Sequence, residues 1–161
     1  MVKEKWTTNN IPDISGKIAI VTGANSGLGK ETAKALAAKN AVVIMAVRNI
    51  INGENASRDI QKEFPESTVK VMKLDLSNLQ SIKDFAAAFS KEFTQLHFLI
   101  NNAGVMTPPY TKTEDGFELQ IGTNYLGHFA LTGHHMPIIQ ATAGARIVNV
   151  SSMAHKWGKI D

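Results

Sequence analysis

The sequence contains no cysteine, which excludes disulfide bonds and thiolate chemistry without fixing the compartment. No apolar run approaches the roughly 20 residues that a membrane-spanning helix needs. The segment from Met1 to Asp13 is polar and mixed in charge, unlike a signal peptide, so a cytoplasmic location is expected. No sign of charge dominates. The 17 basic and 14 acidic residues are dispersed, and a net charge of +3 without a basic stripe or cluster argues against nucleic acid as a partner. Also missing are internal repeats, low-complexity tracts and linkers, and Pro108-Pro109 reads as a loop rather than a boundary. Metal-ligand spacing is lacking as well. His128, His134, His135 and His155 form no H-E-x-x-H pattern and have no carboxylate at ligand spacing nearby, so no metal is expected, and His134 and His135 read as polar or interface positions on a long helix.

What is present is 161 residues with 43% hydrophobic content, enough for a single domain with a sizeable core. Short β-rich runs at 17–22, 41–47, 68–74, 96–101 and 145–151 alternate with helical patterns at 27–39, 53–64, 78–93 and about 123–141. This alternation predicts an α/β fold with a doubly wound parallel sheet. All five strands read as continuous apolar runs buried on both faces. The third helix has the clearest start, with Ser77 and Asn78 as caps ahead of an apolar face of Ile82, Phe85, Ala86 and Phe89.

The most informative segment joins the first strand to the first helix: Lys17-Ile-Ala-Ile-Val-Thr22-Gly23-Ala-Asn25-Ser26-Gly27-Leu28-Gly29-Lys30. A strand that turns through glycines into a helix aims backbone N–H groups and the positive helix end at one point, where a phosphate can sit. A P-loop needs G-x-x-x-x-G-K-[ST]; here Gly23 to Gly29 is one residue too long and Lys30 is followed by Glu31, so nucleoside triphosphate hydrolysis is excluded. The strict G-x-G-x-x-G spacing is absent too. A glycine turn without a ligand remains the alternative on this motif alone.

Ligands of open α/β sheets collect at the carboxyl ends of the strands. The second strand ends in Val47-Arg48-Asn49, where a dinucleotide fold that takes NAD carries a carboxylate for the ribose 2′-hydroxyl. An arginine there instead suits the 2′-phosphate of NADP, so NADP is expected rather than NAD. A solvated surface arginine is the plainer alternative. The third strand ends in Leu74-Asp75-Leu76, with Asp75 either an acceptor for an adenine amino group or a cap for the next segment. The fourth ends in Asn101-Asn102-Ala103-Gly104, small residues suited to a cofactor's flank and equally to an ordinary turn.

Taken in order, Thr22-Gly-x-x-x-Gly27-x-Gly29, Asp75, Asn101-Asn102-Ala103-Gly104, Asn124 in Thr-Asn-Tyr-Leu-Gly-His-Phe, and Val-Asn-Val-Ser151-Ser152 resemble the motifs of the short-chain dehydrogenase/reductase family. The wording around 45–49, 124–129 and 151–155 is similar to the branch containing retinol dehydrogenase-like enzymes, and the resemblance runs from Lys17 to Lys159. It implies a Rossmann domain over 17–161, preceded by an N-terminal extension over 1–16. It also implies hydride transfer between the nicotinamide cofactor and a small lipophilic alcohol or carbonyl. By motif, Gly23, Asn25, Ser26, Gly27, Leu28, Gly29, Arg48, Asp75, Leu76, Asn102, Ala103 and Gly104 would bind the cofactor. Ser152, rather than Ser151, would hydrogen-bond the substrate oxygen, and Asn124 would hold a water of the proton relay.

One departure stands out. The family's Tyr-x-x-x-Lys pair should follow Ser152, yet only nine residues do, and the fourth residues after Tyr110 and Tyr125 are Glu114 and Phe129. The expectation is therefore an incomplete Rossmann fold lacking the later strands and helices, part of a longer enzyme and inactive by itself. The alternative is a nucleotide-binding module or pseudoenzyme. An uncovered fifth strand also leads us to expect self-association into a homo-oligomer.

Overall fold

The computed structural model describes residues 6–156. Residues 1–5 of the expected extension and residues 157–161 of the expected domain, Lys159 among them, lie outside the described residues. Five parallel strands, β1 (Ile18–Thr22), β2 (Val42–Val47), β3 (Thr68–Lys73), β4 (Phe98–Asn101) and β5 (Arg146–Asn149), form one sheet in the order β3-β2-β1-β4-β5. The chain winds outward from β1 to β3, then returns to the other side of β1 for β4 and β5. This reversal opens a crevice at the carboxyl ends of β1 and β4, which is where such sheets place ligands.

Alternate strand residues face opposite helical layers. Ile20, Ile44 and Leu99 pack with Ile82, Phe85 and Phe89 of α3 (Leu79–Glu92) and with Leu131 of α5 (His128–Ala141). Val21, Val43 and Met45 pack with Ala33 and Ala37 of α1 (Gly27–Ala37) and with Ala56 and Ile60 of α2 (Ile50–Glu63). The sheet is doubly wound as expected. Small residues bring α2 close: a Cβ at Gly53 would lie 2.6 Å from Val47 and 2.7 Å from Val71. Asn49 and Asn78 cap α2 and α3 by accepting from the N–H groups of Asn52 and Ser81. The cap at Asn49 starts α2 at Ile50, three residues before the position that hydrophobic spacing suggested.

Two expectations need correction. β3 and β5 are not buried on both faces. They end the sheet, and Thr68, Lys70 and Lys73 of β3 and Arg146, Val148 and Asn149 of β5 are exposed. Lys70 pairs with Glu92, a charge on an edge strand that discourages pairing with another chain. The long helix expected over 123–141 is also not one α-helix. A short α4 (Leu119–Ile121) leads into a π-helical turn, Gly122–Gly127, and only then α5. Glu118 starts this unit by accepting from the N–H groups of Gln120 and Ile121 at 2.7 and 2.8 Å, bonds that hold its carboxyl below the usual carboxylate range.

The described part of the N-terminal extension docks on the domain. Ile14 packs against the α1/α2 layer, and its N–H donates to Lys39 O.

Candidate functional site

β1 runs into a turn whose first glycine, Gly23, has φ +66°, and a Cβ there would lie 3.0 Å from Ala103. At Gly29 a Cβ would lie 2.4 Å from Gly23 O and 2.5 Å from Asn102 Nδ2, so only glycine lets α1 approach the end of β4. Ser26 is the N-cap residue of α1, yet its side chain makes no capping bond, so the first N–H groups of the helix receive no side-chain acceptor from it.

A cavity of about 550 Å³ lies over the carboxyl ends of β1 to β4. Every residue expected at the cofactor lines it except Gly27: Gly23, Asn25, Ser26, Leu28, Gly29, Arg48, Asp75, Leu76, Asn102, Ala103 and Gly104. Gly27 serves the turn itself, with φ +53° and nothing within 4 Å of where its Cβ would be. Sequence reasoning missed Ala46, Asn49, Asn52, Leu74, Val105 and Thr123 on the same walls. The Arg48 guanidinium has no hydrogen bond or ion pair among the described residues, while Arg48 O accepts from Lys73 Nζ at 2.6 Å. Asp75 does not cap α3, whose N-cap is Asn78, but closes a local turn ahead of it: Oδ1 accepts from Ser77 N–H at 2.9 Å and Ser77 Oγ at 2.6 Å.

The turn at Asn102, Ala103 and Gly104 divides this cavity from a second one of about 770 Å³. Asn124, Ser151 and Ser152 line the second, together with Tyr125, His128 and Phe129. Asn124 sits in the π-helical turn and binds Val105 twice: Val105 N–H donates to Oδ1, and Nδ2 donates to Val105 O, both at 2.8 Å. At the other end of the wall, Thr22 Oγ1 accepts from the N–H groups of Asn102 and Ala103, both at 2.9 Å. His128 lies between, with Nε2 2.9 Å from Thr22 Oγ1 and Nδ1 2.9 Å from Asn124 O. Burial pushes the His128 imidazole pKa down, opposed by the bond to Asn124 O. Neither Thr22 nor His128 stood out as a site residue in the sequence; the four-residue step from Asn124 to His128, one turn along a helix, was the available signal.

His135 is a further correction. It is fully buried, with Phe85 and Phe89 ring centroids at 5.7 and 5.3 Å, whereas His134 is exposed. Among the described residues, no group of three or more His, Asp or Glu could hold a metal ion, and no helix is long and apolar enough to cross a membrane.

The model of the short chain dehydrogenase family matches residues 17–160. The chain belongs to the short-chain dehydrogenase family. Human retinol dehydrogenase 12 is 52% identical over 147 residues, 91% of this chain and 46% of that protein. Mouse retinol dehydrogenase 11 is 52% identical over 160 residues, 99% of this chain and 50% of its own length. Among solved structures, an uncharacterised protein of Mycobacterium paratuberculosis superposes with a TM-score of 0.83 at 46% identity, over 97% of this chain and 53% of that one. A metagenomic short-chain oxidoreductase in complex with NADP superposes with a TM-score of 0.77 at 28% identity, over 89% of this chain and 66% of that one. The chain thus spans about half the length of the curated relatives it matches. Within the family's fold, the two cavities lie on either side of one shared wall, residues 102–104.

Proposed function

We propose that this chain is the NADP-binding part of an oxidoreductase that interconverts a small lipophilic alcohol and its carbonyl. The observation that carries the reading is Arg48, whose guanidinium is unpartnered among the described residues on the cavity that the glycine turn opens. The residues fit a dinucleotide. The Gly23–Gly29 contact leaves bare backbone where a pyrophosphate would rest, and α1 offers its N–H groups there. Arg48 presents a planar fork of donors to a 2′-phosphate, and Asp75 keeps an acceptor carboxylate beside the expected adenine position.

When bound, the cofactor supplies or accepts the hydride. On the far side of the wall, Ser152 would donate a hydrogen bond to the substrate oxygen and Asn124 would anchor a relay water. The acid that protonates a forming alkoxide is a Tyr in this family, and no Tyr-x-x-x-Lys occurs in these 161 residues. Turnover is therefore proposed for the whole encoded protein, and nucleotide binding without turnover for residues 1–161 alone. The names of the retinol dehydrogenase relatives support a lipophilic substrate. The test is a titration with NADP and NAD: tighter binding of NADP supports the reading, and binding of neither removes it.

A further inference from the structure

The wall between the two cavities is held at both ends by side chains. Thr22 takes the amides of Asn102 and Ala103, and Asn124 takes the peptide groups of Val105. A hydroxyl oxygen has two lone pairs and one hydrogen. The two amides occupy the lone pairs of Thr22 Oγ1, so its hydrogen must point elsewhere, either to His128 Nε2 at 2.9 Å or to Ile100 O at 3.4 Å. The imidazole is the nearer acceptor. Asn124 O can only accept, so the hydrogen between it and Nδ1 belongs to the ring. His128 is thereby fixed as the neutral tautomer with Nδ1–H and a bare Nε2, and hydrogen bonds run in one direction from the Asn102 and Ala103 amides through Thr22 and His128 to Asn124.

We propose that His128 is a positioning residue for the dinucleotide, tying Thr22 to Asn124 so that the residue 102–105 wall keeps the shape that a bound cofactor meets. This rests on the NADP reading above. A side chain at 128 that accepts from Thr22 preserves the tie at its cofactor end, and one that cannot accept leaves the Thr22 hydrogen and the wall free to turn.

The experiment uses the whole encoded protein, with NADP as the probe and His128→Leu and His128→Gln as variants. Expected are NADP binding by the wild type, about tenfold weaker binding by His128→Leu, and binding within about threefold of wild type by His128→Gln, whose side-chain oxygen replaces Nε2 as acceptor. Nitrogen-15 NMR of the imidazole should show a protonated Nδ1 and an unprotonated Nε2 at about pH 7. Wild-type affinity in a folded His128→Leu variant, or a protonated Nε2 in a wild type that binds NADP, overturns the inference and leaves the NADP reading standing. A wild type that binds no NADP sinks both. If His128→Leu does not fold, the tautomer and His128→Gln decide, and a tenfold loss in the latter counts against the proposal.

Discussion

Asn124 and Val105 match each other as two peptide groups would: one amide side chain donates to and accepts from one backbone position, with both bonds at 2.8 Å. An aspartate at 124 keeps the acceptor for Val105 N–H but turns a second acceptor toward Val105 O. Each hydrogen bond contributes about 0.5 to 1.5 kcal/mol net, so Asn124→Asp should lower stability by about 1 to 2 kcal/mol in urea unfolding. Affinity for NADP should fall with it, because Val105 lines the cavity proposed for the cofactor. A variant of unchanged stability and affinity would show that the pair does not hold the wall.

Gly29→Val should abolish dinucleotide binding. Its side chain would have to occupy the space of Gly23 O and Asn102 Nδ2, both backbone-anchored, so the glycine turn must move. Overpacking of this kind costs about 1 to 3 kcal/mol. Circular dichroism checks that the variant still folds, and unchanged NADP affinity in the folded variant would remove the turn from the site.

Much of this arrangement was legible in the sequence because local chemistry dictates it. The glycine spacing, the apolar runs and the polar residues at strand ends name the strands, the crossover helices and most of the residues lining the first cavity. What escaped depends on tertiary placement. An apolar run such as Val69, Val71 and Met72 reads alike in a central and an edge strand, and only the order of the sheet puts β3 at the rim. The π-helical turn over Gly122–Gly127 carries no spacing signature, because a single wide turn barely shifts the hydrophobic period. Thr22 and His128 are 106 residues apart, and His128 looked like any helix histidine until the fold set it beside the end of β1.

Arg48→Asp should reverse the cofactor preference. The wild type is expected to favour NADP over NAD by about 10- to 100-fold, since a charge-assisted bond to phosphate is worth about 1.5 to 3 kcal/mol. In the variant the carboxylate repels the 2′-phosphate and can accept from the ribose 2′-hydroxyl of NAD. Titration of both cofactors against both proteins reads this out, and equal wild-type affinities would assign the arginine to the solvent surface.

Stability should fall as the solution is acidified through the range of free histidine. Burial pushes both His128 and His135 below the ordinary value of 6.5, and His135 Nε2 is buried with no partner among the described residues. A depressed pKa means that the unfolded chain takes up protons the folded rings refuse. Stability is therefore level above about pH 6.5, and below it falls by up to about 1.4 kcal/mol per pH unit for each ring until the folded rings themselves protonate. Urea midpoints at about pH 7.5 and about pH 5.5 measure the slope. His135→Leu keeps the contacts with Phe85 and Phe89 apolar and should remove its share, so an undiminished slope would place the proton uptake elsewhere.

Residues 1–161 by themselves should bind NADP without reducing a carbonyl. In the roles proposed for them, Ser152 and Asn124 would orient a substrate oxygen and a water without supplying the proton an alkoxide needs as it forms, and neither tyrosine in the sequence has a lysine four residues later. Positioned acid catalysis contributes a factor of roughly 10² to 10⁴, and a nicotinamide ribose not held by the family's lysine loses orientation besides. The comparison is NADPH oxidation with a panel of lipophilic aldehydes, run on residues 1–161 and on the whole encoded protein, with NADP binding measured on both. Turnover by residues 1–161 at an ordinary enzymatic rate would mean that another group in this half donates the proton, and the roles given to Ser152 and Asn124 would have to be withdrawn.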